Sequence, residues 1–216
     1  MITVRNLTKT FGEHTAVSDV SFTLEAHTST ALIGPNGAGK TTVLSMLTGL
    51  LEPTSGEIKM MGVNDMRKEI GFLPQYPQFF PWLTALEFTE MTAKLSGVSG
   101  KEAKKEAEKV LAFVGLEEAM RKKTATFSGG MKQRLGIAQA IVHKPKVLLL
   151  DEPVSALDPI GRREMMNLLK ELQQQTTILY STHILNDAEE MTDQLLFLRK
   201  GILVEQGSLP DVRKKF

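Results

Sequence analysis

The period of the apolar positions changes several times along the chain, and each change predicts an element. Ile2 and Val4, and then Val17, Val20, Phe22 and Leu24, read as strands, with a turn at Phe11-Gly12-Glu13 between them. Ala31-Leu32-Ile33 is a short apolar run that meets glycines at once. From Lys40 the apolar residues Val43, Leu44, Leu47, Leu50 and Leu51 fall at helical spacing until Glu52-Pro53 closes the element. The stretch 84–120 reads as helical, since Thr84 with Glu87 and Ser99 with Glu102 fit capping boxes and Ala103, Ala107, Val110, Leu111 and Val114 line one face. A helix over 129–143 stopped by Pro145, a strand at Val147–Leu150 and a helix carrying Met165, Leu168, Leu169 and Leu172 follow. A strand over 177–180, a short helix near Ala188 and a hairpin turning at Lys200-Gly201 complete the reading. Strands alternating with helices imply a largely parallel sheet covered on both faces, with the antiparallel start and end as its edges. One domain over 1–216 is expected, its core formed by 1–83 and about 124–216, with about 84–123 as an inserted helical subdomain.

Composition narrows the choices. The 216 residues carry 26 basic and 25 acidic side chains, a net charge of +1, which argues against the broad basic face of a protein whose main ligand is nucleic acid. There is no cysteine, which excludes a disulfide framework, a thiolate zinc site and a thiol nucleophile, and fits a reducing cytoplasm. No secretory signal is visible at Met1-Ile2-Thr3-Val4-Arg5, and the apolar runs fall far short of the roughly 20 residues of a membrane helix.

Candidate chemistry begins at Gly34-Pro35-Asn36-Gly37-Ala38-Gly39-Lys40-Thr41, which satisfies G-x-x-x-x-G-K-[ST] between a predicted strand and a predicted helix. Glycines let consecutive backbone N–H groups turn inward around phosphate oxygens, and the helix start aims its positive dipole end at the same place. Lys40 adds a charge for the outer phosphates, and the Thr41 hydroxyl is placed to ligate Mg²⁺. Thr42 joins the nucleotide-binding set, with a structural role as the simpler reading. Asp151-Glu152 ends a buried-type strand where ligands bind in open α/β sheets. Asp151 is expected to hold the magnesium shell and Glu152 to polarise the attacking water. Asp158-Pro159-Ile160-Gly161 fits the D-x-x-G of GTPases, but no N-K-x-D segment occurs, so guanine specificity has no support. Ser128-Gly129-Gly130 starts a helix and forms a second candidate anion site.

Taken in order, the phosphate loop, Gln75 in Phe72-Leu73-Pro74-Gln75, Ser128-Gly129-Gly130, Asp151-Glu152-Pro153, Ser155-Ala156-Leu157-Asp158 and Ser181-Thr182-His183 make the chain resemble the ATPase subunits of ATP-binding cassette (ABC) transporters. The resemblance implies an α/β P-loop NTPase core of RecA-like type and a head-to-tail dimer. In that dimer each ATP lies between the phosphate loop of one subunit and Ser128, Gly129 and Gly130 of the other. It also implies that Phe11 stacks on adenine, that Gln75 senses magnesium and the attacking water, and that His183 contacts the γ-phosphate. His14, His27 and His143 are read as surface or structural residues. The family usually has Leu-Ser-Gly-Gly-Gln where this chain has Phe127 and Met131 at the outer positions, which puts the strength of the closed dimer in question. A dense aromatic stretch, Tyr76, Phe79, Phe80, Pro81, Trp82 and Leu83, lies where the family docks a helix of a transmembrane permease subunit. Three function classes compete: the ATPase of a membrane transporter, with the prokaryotic exporters most alike; a soluble ABC protein of translation or DNA maintenance; and an unrelated P-loop kinase or GTPase. The first places the chain on the cytoplasmic face of the cell membrane with a second ATPase subunit as partner.

Overall fold

The computed structural model describes residues 1–185, 188, 192–208, 210 and 211. The main sheet has six strands: β3 (Ser29–Ile33), β5 (Ile70–Leu73), β6 (Val147–Leu150), β7 (Thr177–Thr182), β8 (Gln194–Arg199) and β9 (Ile202–Ser208), in the order β5-β6-β7-β3-β8-β9. All neighbours are parallel except β8 and β9, which form the antiparallel hairpin expected at Lys200-Gly201. The opening strands depart from expectation. β1 (Ile2–Phe11) and β2 (His14–Leu24) do not edge the main sheet; they join β4 (Ser55–Met60) in a separate antiparallel sheet of order β2-β1-β4.

The continuous apolar runs of the central strands have a simple cause: both faces of the sheet are buried. Side chains alternate across a strand, so Ala31, Ile33, Leu148, Leu150, Ile178 and Tyr180 enter one core while Leu32, Val147, Leu149 and Leu179 enter another. Helices α4 (Gly129–Ile141) and α5 (Pro159–Gln173) supply Leu135, Ile137, Met165 and Leu169 to the first core. Helix α1 (Lys40–Leu47) and the three-stranded sheet fill the second through Val43, Leu44, Leu47, Val4, Leu7 and Phe22.

Between β5 and α4 lie α2 (Ala85–Leu95) and α3 (Gly100–Phe113). Thr84 caps α2 with the expected box, its hydroxyl accepting from the Glu87 N–H while the Glu87 carboxylate accepts from the Thr84 N–H. At Ser99 the box does not form: its hydroxyl donates to the Glu102 carboxylate instead of accepting from the backbone. Helix α1 also stops earlier than its apolar spacing suggests, because Gly49 adopts φ 75° and leaves Leu50 exposed. The short helix expected near Ala188 falls largely outside the described residues. No helix among those described is long and apolar enough to cross a membrane.

Candidate nucleotide-binding site

The strand order explains why distant residues meet. β5, β6, β7 and β3 are parallel neighbours, so their carboxyl ends bring Gln75, Asp151-Glu152, His183 and the loop 34–39 to one rim of the sheet. The loop follows β3 directly and runs into α1 at Lys40. It is held close to the sheet: a Cβ on Gly34 would lie 2.3 Å from the Leu198 carbonyl oxygen. Gly39 takes φ 102°, and a Cβ there would lie 2.7 Å from the Ala16 carbonyl oxygen, so both positions require glycine.

A cleft of about 500 Å³ opens over this loop, lined by Asn36, Gly37, Ala38, Gly39, Lys40, Thr41, Thr42, Gln75 and Glu152, together with His14, Ala16 and Tyr76. Pro35 is exposed beside it. Lys40 is buried to 6% exposure; its ammonium donates to the carbonyls of Gly34 (2.8 Å) and Pro35 (3.2 Å) and lies 3.4 Å from Glu152 Oε1. The Thr41 hydroxyl donates to Asp151 Oδ2 at 2.7 Å. The other carboxylate oxygen of Glu152 is 2.8 Å from His183 Nδ1. Phe11 stands at the end of β1, paired with the cleft residue His14, half-exposed and with the Lys9 ammonium 5.2 Å from its ring centre; it does not itself line the cleft.

Ser128, Gly129 and Gly130 lie elsewhere. Ser128 caps α4 by accepting from the Met131 N–H, and all three residues line a second cleft of about 400 Å³ with Ala156, Leu157, Asp158 and Gly161. The two clefts share no residue. Asp158, which resembled part of a GTPase motif, caps α5 through the Gly161 N–H. Phe127 is buried in the core, while Met131 both packs against that core and lines this second cleft.

Several features escaped the sequence reading. His14 and Tyr76 line the phosphate-loop cleft. Lys40 and Glu152 form a buried ion pair within the cleft. Gln133 of α4, 3% exposed, reaches the Gln75 carbonyl at 3.5 Å. Away from the cleft, burial pushes His143 below its ordinary value of 6.5, with the Ile70 carbonyl partly opposing the shift.

Comparison with known families decides the lineage. Residues 17–155 match the ABC transporter family model, a span that includes the phosphate loop, the Ser128-Gly129-Gly130 turn and the acidic pair. The chain belongs to the ABC transporter ATP-binding family. Over its full length this cassette is 48% identical to the uncharacterised ABC transporter ATP-binding protein YxlF of Bacillus subtilis (strain 168), covering 73% of it. It is 38% identical, again over its full length, to the bacitracin transport ATP-binding protein BcrA of Bacillus licheniformis, covering 72% of that protein. Among solved structures, the dimeric bacterial ABC transporter cassette MJ0796 is similar at TM-score 0.87 and 31% identity, over 97% of this chain and 99% of that one. MJ0796 is also known as a dimer in a post-hydrolysis state with ADP and Pi, similar at TM-score 0.86 and 30% identity over the same shares. The ABC cassette therefore has the P-loop NTPase fold expected of it and is an ATPase: it binds and hydrolyses ATP.

Proposed function

We propose that this cassette powers a membrane exporter as one of two ATPase subunits joined head to tail, with ATP at the interface. The division of these groups between two clefts carries this reading. The phosphate loop and Ser128-Gly129-Gly130 line different clefts with no residue in common, so a second subunit is what brings its own Ser128, Gly129 and Gly130 to the γ-phosphate of a nucleotide on the loop. The similarity to a bacitracin transport protein supports the transporter class over a soluble ABC protein.

The geometry supports a role for each residue. Backbone N–H groups over 36–42 cradle the phosphates, and Lys40 reaches past the Gly34 and Pro35 carbonyls to the outer phosphate oxygens. Phe11, paired across the strands with His14, offers a ring to adenine. Glu152 polarises the attacking water, with His183 holding its far oxygen and contacting the γ-phosphate. The donor set suits Mg²⁺, since the Thr41 hydroxyl and Asp151 carboxylate are hard oxygen ligands already 2.7 Å apart and Gln75 adds an amide oxygen at the same rim. So small a protein set fits an ion that shares its coordination with substrate phosphates and water. When bound, Mg²⁺ neutralises charge on the phosphate oxygens.

The transmembrane permease subunit docks on the aromatic stretch. Tyr76, Phe80 and Trp82 are exposed at 71%, 45% and 65%, and Phe80 stacks on Trp82 at 5.3 Å. Phe79 instead packs edge-on against Phe88 beneath α2. Docking there holds the cassette on the cytoplasmic face of the membrane. Trp82→Ala should cost about 2 kcal/mol of partner binding, the scale of a large aromatic anchor. Cell fractionation should then find the variant released from membranes while the purified protein still hydrolyses ATP. Full membrane retention would overturn the choice of surface.

A further inference from the structure

Two hydrogen bonds meet on a single hydroxyl beneath the acidic pair. Ser181, on β7, is fully buried. Its Oγ donates to Asp151 Oδ1 at 2.6 Å and accepts the backbone N–H of Glu152 at 2.8 Å. A carboxylate only accepts and an N–H only donates, so a group joining them must do both. A hydroxyl does, at a length short enough for a buried strand position.

The joined residues are unusual in shape as well as in chemistry. Glu152 has φ 49°, in the left-handed region that residues with a Cβ disfavour. Its backbone is gripped on both sides: Ser181 takes the N–H, while the carbonyl accepts from the Ser155 N–H at 3.2 Å and the Ser155 hydroxyl at 3.0 Å. In this conformation the carboxylate reaches both Lys40 and His183. Asp151 is fixed by the same network, with Thr41 on Oδ2 and Ser181 on Oδ1.

We infer that Ser181 is a positioning residue for hydrolysis: its hydroxyl ties the Asp151 carboxylate to the Glu152 backbone and holds Glu152 in the left-handed turn that aims its carboxylate into the cleft. The inference rests on the assignment of Glu152 as the group that polarises water. Ser181 is fully buried and does not line the phosphate-loop cleft, so it acts through the pair it holds. Without its hydroxyl, Asp151 Oδ1 and the Glu152 N–H both lose a buried partner, and Glu152 can relax toward an extended backbone that carries its carboxylate away from Lys40 and His183.

The test is steady-state ATP hydrolysis by the full chain with Ser181→Ala, Glu152→Gln and both together. Ser181→Ala should lower kcat by roughly 10- to 100-fold, the scale seen when a partner supporting a reacting group is removed, with KM for ATP unchanged. The double variant should be no slower than Glu152→Gln alone, because the effect of the hydroxyl on kcat runs through the Glu152 carboxylate. Multiplying losses, a raised KM with kcat preserved, or an unchanged kcat would each overturn the role. Should the alanine variant not fold, Ser181→Cys, close in volume but a poor hydrogen-bonding partner, carries the same comparison. If Glu152→Gln itself retained full kcat, the assignment of Glu152 would fail, an outcome separate from any failure of Ser181.

Discussion

Removing the Lys40 ammonium tests two opposing consequences of one contact. Lys40 and Glu152 are both buried and 3.4 Å apart. Their attraction at that separation is about 5 kcal/mol at an effective dielectric of about 20, before desolvation is counted against it. Deleting one partner of such a pair costs about 3–5 kcal/mol when the other is stranded. Glu152 keeps His183 at 2.8 Å and faces an open cleft, so the low end, about 3 kcal/mol, applies to Lys40→Ala. For a chain of this size that lowers the melting temperature by about 6–12 °C and leaves the protein folded at room temperature. Nucleotide binding loses charge-assisted hydrogen bonds of about 1.5–3 kcal/mol each. Wild-type Lys40 must first give up its contacts to the Gly34 and Pro35 carbonyls, so the net loss is about one such bond, roughly a 10- to 150-fold rise in Kd. Titration calorimetry with ATP at 20 °C, alongside a thermal melt, measures both. A folded variant with wild-type ATP affinity would refute the assignment of Lys40 to the phosphates.

Phe11→Ala should weaken ATP binding by about 0.5–1.5 kcal/mol, roughly two- to tenfold, while inorganic triphosphate binds as before; an equal loss for both ligands would mean that the ring serves the fold. Burial holds His143 below 6.5, so the unfolded chain takes up its proton first as pH falls. Stability should therefore be full above about 6.5 and decline as the pH drops through that value toward the lowered folded one. Urea unfolding of wild type and His143→Gln at pH 7.5 and 5.5 should show the smaller decline in the variant, and equal declines would contradict it.

Residues whose chemistry depends on type and close spacing were legible in the sequence. The phosphate loop, the acidic pair and the Ser128-Gly129-Gly130 turn each declare themselves within a few positions, and the apolar runs of β3, β6 and β7 mark strands buried on two faces. What escaped depends on partners far along the chain or on weak local pattern. β4 is largely polar and β5 only four residues long, so neither shows a clear period. Without β4, nothing separates β1 and β2 from the main sheet. Ser181 carries no local sign of its double contact, because Asp151 and Glu152 follow the neighbouring strand β6, about 30 positions away. The left-handed turn of Glu152 is likewise imposed by those partners, against the preference of glutamate itself.

Sedimentation of Glu152→Gln in ATP and in ADP tests the shared-site account most directly. The substitution keeps size and nucleotide contacts while removing the carboxylate, so hydrolysis should fall by roughly a hundredfold or more and binding should persist. Two unhydrolysed ATP molecules then lie between each phosphate loop and the opposing Ser128-Gly129-Gly130 turn, and nucleotide that binds only the joined form stabilises it. The account predicts a dimer with ATP and a monomer with ADP. A monomer in both, at high protein concentration and with the membrane partner present, would contradict it and favour a P-loop enzyme with a complete site in each chain.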